Sequence, residues 1–210
     1  MAKTKEIILD TALRLFNDRG LSKVTLRTIA NEMGISQGNL NYHYKKREDI
    51  IESLYFRLVG NIDDMMSQIN QDLDLFSVMF LVSEKMMSSF FDYRFFLTDF
   101  VQIIRENEVI RNHYSALVIQ RERQFIGIFN TLIAQGYMRE EIFEGEYKNL
   151  FMRFQILGSF WIPSTVILSE ELNKAAVNRY CNLLNEMIIP YLTVRGQKAY
   201  QDHEKIKFNV

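Results

Sequence analysis

The sequence predicts an all-α fold: an N-terminal three-helix helix-turn-helix bundle joined by a long helix to a larger helical domain. Three observations predict it. Apolar residues recur at helical spacing along the chain, while no sustained alternation and no Asn-Gly turn supports strands. There are only two prolines, Pro163 and Pro190, so the first 162 residues hold none. Glycines fall where helices should stop, at Gly20, Gly34 and Gly136.

Composition bounds the problem. Of 210 residues, 48% are hydrophobic, enough for a sizeable core, and 24% are charged. The formal net charge of −1 excludes a uniformly basic nucleic-acid binder, but the charge is unevenly spread. Residues 1–50 hold nine Lys/Arg and six Asp/Glu, whereas the remainder holds 16 and 20. A basic end on an acidic body fits a small DNA-reading module on a larger domain with another task. The one cysteine, Cys181, can make neither an intrachain disulfide nor a cysteine zinc site. No apolar block follows the charged N-terminus. The longest uncharged run, Phe154 to Ser169, is sixteen residues and contains Gly158 and Pro163, too short for a membrane span. The expectation is a cytoplasmic protein with no membrane partner.

The elements follow in order. Residues 5–19 place Ile8, Ala12, Leu15 and Phe16 on one face, and Gly20 stops that helix. Leu26, Ile29, Ala30 and Met33 make a second short stripe, closed by Gly34; Ser36 then caps a third helix reaching about Tyr44. A long helix is predicted over 47–70, with Ile50, Leu54 and Leu58 inward. Leu75, Met79, Val82, Met86 and Phe90 share helical spacing. One long helix is expected over 107–135, with Ile110, Leu117, Val118, Phe125, Ile128, Phe129 and Leu132 inward. The acidic stretch Met138–Gly145 reads as a loop, 146–168 and 170–193 as two further helices, and the tail from Arg195 as a short or frayed helix. The domain boundary is drawn at the long helix: 1–48 on one side, 71–210 on the other.

Residues 25–44 carry the most specific pattern. A helix-turn-helix needs a bracing helix, a tight turn, and a second helix whose outer face enters the major groove. Ala30 is small where the helices cross, and Gly34 lies in a turn that needs a positive φ. Ile29, Met33, Ile35 and Leu40 supply the locking apolar faces. Thr25 and Ser36 are hydroxyl caps, and a capped helix start suits a phosphate contact. The outer face is then Gln37, Asn39, Asn41, Tyr42 and His43, whose three amides can read adenine edges. Gly38 lets the backbone approach the DNA, and Arg27, Lys45, Lys46 and Arg47 can neutralise phosphates. His43 also fits a packed core position.

With these residues in place, the stretch 6–58 resembles the DNA-binding domain of TetR/AcrR-type transcriptional regulators. The resemblance is carried by Ile8, Ala12, Leu15, Phe16 and Gly20, then Thr25, Ile29, Ala30, Gly34, Ser36, Gly38, Leu40, Tyr44, Glu48 and Ile50, in order and without a gap. It covers about a quarter of the chain. It implies an all-α homodimer on double-stranded operator DNA, usually a repressor, released by a small molecule held in the C-terminal domain. Asn41 and His43 stand where the family usually has aromatics, one of them a phosphate-touching tyrosine, and Arg47 replaces a lysine.

Beyond that region the residues leave alternatives open. Phe90, Phe91, Tyr93, Phe95, Phe96 and Phe100 form either the wall of an apolar ligand pocket or an aromatic-rich core. His113 and Arg121 can orient a polar ligand group or pair with a carboxylate such as Asp99 or Glu106. The candidate pocket set is Phe96, Phe100, His113, Leu117, Arg121, Phe154 and Trp161, for an effector of apolar or aromatic character. The last two long helices need a partner, either within the subunit or across a two-fold axis; Phe151, Tyr180, Leu184 and Met187 are the candidate dimer contacts. No catalytic spacing, nucleotide loop, cofactor motif or metal-binding histidine pair occurs, so no enzyme, metal or cofactor is expected. The rival reading is a helix-turn-helix that serves protein partners.

Overall fold

A computed structural model of the chain describes residues 2–68 and 74–208. Its helices are α1 (Ala2–Arg19), α2 (Leu26–Glu32), α3 (Gln37–His43), α4 (Arg47–Ser67), α5 (Leu75–Asp92), α6 (Arg94–Thr98), α7 (Phe100–Glu106), α8 (Glu108–Ala134), α9 (Glu146–Ile167), α10 (Lys174–Glu186) and α11 (Val194–Phe208). Among the described residues no strand forms beyond an isolated bridge between Met138 and Leu192. The fold is all-α, as the periodicity requires.

Several boundaries differ from expectation for local reasons. The long helix ends at Ser67; the expected residues 69–70, like 71–73 at the start of the larger domain, lie outside the described residues. The helix expected from residue 170 starts at Lys174, because Asn173 Oδ1 accepts the amides of Ala175 and Ala176 at 2.9 and 3.1 Å. It ends at Glu186, and Pro190 falls in a separate 3-10 turn, Ile189–Tyr191. The C-terminal tail is α11, which buries Tyr200 and stacks His203 on Phe80 with ring centroids 4.2 Å apart. The stretch 90–107 resolves into the end of α5 and two short helices, α6 and α7.

The chain forms two compact units, Met1–Asp64 with Ser89–Tyr114, and Met65–Ser88 with Ser115–Val210. In the first, Ile8, Leu15 and Phe16 of α1 join Ile29, Leu40, Ile50 and Leu54 in a closed core. Helices as short as α2 and α3 are unstable alone, so this packing is what holds them. Tyr93, Phe95 and Phe96 belong to the same core, with the Phe95 ring 5.1 Å from that of Phe16.

The second unit packs α5, α9, α10 and α11 residues with Phe129 and Leu132 of α8. The α5 stripe that it buries is Phe76, Phe80, Ser83 and Met87, one position later than the predicted Leu75, Met79, Val82 and Met86. Helix α5 is apolar on most of its circumference, so period alone does not choose the face. Ser83 Oγ lies 2.7 Å from Asn185 Oδ1, a buried polar tie between α5 and α10. The loop before α9 is rigidly tied: Arg139 grips Glu146 through two 2.7 Å bonds, and the Ile142 amide donates to the same carboxylate. That hydrogen bonding pulls the Glu146 carboxyl down to about 2. Helix α9 is long and apolar enough by composition to cross a membrane, but it buries Tyr147, Leu150, Phe154, Trp161 and Ile162 within this unit.

Candidate nucleic-acid interface

The helix-turn-helix is built from two caps and one glycine. Thr25 Oγ1 accepts the Thr28 amide at 3.2 Å, while Thr28 Oγ1 accepts the Thr25 amide at 2.6 Å. This reciprocal box starts α2. Thr28 was not singled out from sequence; its hydroxyl three residues after Thr25 is the signal that could have found it. Gly34 has φ 66°, the left-handed conformation expected of the turn, and the Ile35 amide returns to the Ala30 carbonyl at 3.0 Å. Ser36 Oγ then accepts the Asn39 amide at 3.2 Å and starts α3. On α3, Leu40 is fully buried and fixes the rotation of the helix. Glu32 braces α2 on α1 through Arg14 at 2.6 Å and Arg19 at 3.3 Å, bonds that hold its carboxyl below the usual range.

This rotation leaves Gln37, Gly38, Asn39, Asn41 and Tyr42 exposed together, with Tyr42 at 71%. His43 is half-buried and meets the edge of the Tyr42 ring at 5.3 Å, so it is not a core histidine. Thr25, Arg27, Ser36, Lys45 and Lys46 are exposed as well. Arg47 departs from its expected role. Its guanidinium is half-buried, donates to the Leu21 carbonyl at 3.1 Å and pairs with Glu48 at 3.3 Å. It joins the start of α4 to the turn after α1.

The seven pocket candidates divide between the two units. Phe96, Phe100 and His113 belong to the first. There Phe96 stacks on Tyr55 at 5.4 Å and meets the edge of Phe100 at 5.6 Å. The Tyr55 hydroxyl lies 2.8 Å from His113 Nδ1, and burial pushes that phenol up to about 12. His113 thus pairs with a tyrosine and not with either carboxylate considered. Leu117, Arg121, Phe154 and Trp161 belong to the second unit. Arg121 donates to Gln124 at 2.9 Å. Phe154 packs on Phe125, and Trp161, 1% exposed, packs on Tyr180, so both side chains are buried within the second unit. The Trp161 Nε1 proton is buried with no acceptor among the described residues.

The dimer candidates need a similar correction. Phe151, Tyr180 and Leu184 are buried inside one subunit, and Met187 is half-buried. The apolar faces of Phe151, Tyr180 and Leu184 are already covered by their own chain. The apolar surface left open on α9 includes a row of Met152, Ile156 and Phe160, at 53, 63 and 54% exposure and spaced four residues apart, beside Val166 and Ile167 at the helix end.

Comparison with known proteins agrees with this architecture. The family described as bacterial regulatory proteins, tetR family, matches residues 8–54, and the TetR family of bacterial transcriptional repressors matches residues 58–200. The chain is 24% identical to the HTH-type transcriptional regulator YerO of Bacillus subtilis (strain 168), over 100% of this chain and 78% of that protein. Among solved structures, a TetR-family transcriptional regulator from Marinobacter aquaeolei VT8 superposes with a TM-score of 0.83 at 23% identity, covering 96% of this chain and 98% of that one. A transcriptional regulator from Saccharomonospora viridis in complex with choline superposes with a TM-score of 0.73 at 19% identity, covering 91% and 98%. With the capped helix-turn-helix at one end and a matching helical domain across the rest, the chain belongs to the TetR family of bacterial transcriptional repressors.

Proposed function

We propose that this repressor binds a palindromic operator as a homodimer, with α3 of each copy in a major groove, and is released by a small molecule held in its helical domain. The observation that carries the reading is the outer face of α3, where three amides stand exposed over a fully buried Leu40. Gln37, Asn39 and Asn41 read base edges. Thr25, Arg27, Ser36, Tyr42, His43 and Lys46 meet the backbone on either side, and Gly38 allows close approach. Residues 1–48 form the DNA-binding part and 71–210 the effector-binding and dimerising part. The second copy seats on Met152, Ile156 and Phe160 of α9. The aromatic content of the chain, 13% of its residues, favours an apolar or aromatic effector. In this reading the chain acts by occupying DNA in the cytoplasm and carries out no catalysis.

Selection of bound sequences from a random duplex pool at two salt concentrations tests the reading. The expected product is a palindrome with half-sites about one helical turn or a multiple apart, bound more weakly at high salt as counterions are released. Recovery of nothing above background at either salt would overturn it.

A further inference from the structure

The segment Asp92–Asp99 is tied to α1 by contacts that differ in kind from the rest of the apolar core. Asn17, near the end of α1, uses both atoms of its amide on the junction between α5 and α6. Its Nδ2 donates to the Asp92 carbonyl at 2.7 Å, and its Oδ1 accepts the Phe95 amide at 3.0 Å. One side chain therefore caps the end of one helix and the start of the next, where backbone groups lack intrahelical partners. Both bonds persist only while the turn at Tyr93 keeps its shape. At the other end of α6, Asp99 accepts the Leu21 amide at 3.4 Å. Arg47, the first residue of α4, donates to the carbonyl of the same Leu21 at 3.1 Å. The turn after α1 is thus gripped from α6 on one side and from α4 on the other. Arg57 adds a third tie, reaching the Tyr93 hydroxyl at 2.8 Å and Asp10 of α1 at 2.7 Å.

We infer that Asn17, seconded by Asp99, is a positioning residue that links the α5–α6 junction to the placement of α1 and the helix-turn-helix, so that a change at the junction reaches operator binding through α1 and not only along α4. The inference rests on the operator-binding reading above. A link of this kind is reciprocal: if the junction biases operator binding, operator binding must bias the junction. It can therefore be tested with the operator alone.

The experiment is hydrogen exchange on the full-length protein, with and without the selected duplex. α6 lies outside the helix-turn-helix, yet operator is expected to slow exchange of the Phe95 and Asp99 amides by roughly tenfold, inside the usual range of coupling. Asn17→Ala is expected to abolish that slowing while the protein still binds the duplex. Asn17→Asp keeps the acceptor for Phe95 and loses the donor to Asp92, and is expected to give an intermediate loss. A merely structural Asn17 would lower Tm and leave the operator-induced slowing intact. Intact slowing in both variants, or none in the wild type despite tight binding, would overturn the inference alone. Failure of the wild type to bind any duplex would overturn the operator reading and this inference with it.

Discussion

A Cβ placed on Gly196 would lie 2.0 Å from the Tyr137 carbonyl oxygen and 3.2 Å from the Leu192 side chain. The first obstacle is backbone and cannot turn aside. That carbonyl also accepts the Thr193 amide at 3.0 Å, so moving it breaks the joint between the end of α8 and the start of α11. Gly196→Ala is expected to cost about 1–3 kcal/mol or more as overpacking, visible as a fall of several degrees in Tm. Glu146 gives a prediction in pH. Its carboxyl is held at about 2 against an ordinary 4.5, so on acidification the unfolded chain takes up this proton first. The stabilisation from Glu146 is therefore complete above 4.5 and fades as pH falls toward 2. The Tm of Glu146→Gln should lie below wild type at neutral pH and converge on it through that interval; a constant gap would show that the Arg139 pair is not the cause. Trp161 separates two effects. Trp161→Phe removes a buried N–H that has no acceptor among the described residues, whose burial costs about 1–3 kcal/mol, and this offsets the smaller ring. It should leave Tm near wild type, whereas Trp161→Ala should lose about 3–5 kcal/mol in denaturant unfolding.

Among the elements, α3 and α9 carry opposite kinds of surface. On α3 the exposed groups include three amides, and their loss should be sequence-dependent. Asn39→Ala or Gln37→Ala is expected to cost about 1–3 kcal/mol of operator affinity and relax preference at one base pair. Lys46→Ala should weaken all sequences alike and lower the salt slope by about one. Titration of matched and mismatched duplexes separates the two outcomes, and identical behaviour would mean that these contacts are wrongly sorted. On α9, Ile156→Glu puts a carboxylate between Met152 and Phe160. Sedimentation should show monomer, and operator affinity should fall by roughly tenfold or more once the half-sites lose their tethered partner. A dimer that survives the change would move the interface elsewhere. These two helices also mark how far the sequence is legible. The α3 face follows from spacing alone, because Leu40 is the one apolar residue between the amides and must turn inward. The α9 face does not, since Phe151 and Met152, or Phe154 and Ile156, are equally apolar, and only neighbouring helices decide which is covered. Arg47 was illegible for a related reason: its partner, the Leu21 carbonyl, is a backbone group that no residue pattern displays. The two helices α6 and α7 were hidden because their aromatic run has no internal stop signal.

At the scale of the molecule, the two compact units do not follow chain order. Helices α4, α5 and α8 each begin in one unit and end in the other. Unfolding one unit alone would break α8 after Tyr114 and cut the last turn from α4 or α5, exposing backbone groups at each break. That cost opposes independent melting, so one cooperative transition is expected rather than two. The chain is suited to a direct check, because its one tryptophan, Trp161, lies in the second unit, whereas far-UV circular dichroism reports helices in both. The fluorescence and dichroism melts should coincide at every protein concentration, and under the proposed dimer their common midpoint should rise with concentration. A dichroism loss that precedes the tryptophan signal would mean that the helix-turn-helix unit melts by itself. The continuous helices would then transmit little between the units, and regulation would have to act by local disorder rather than by a shared conformational change.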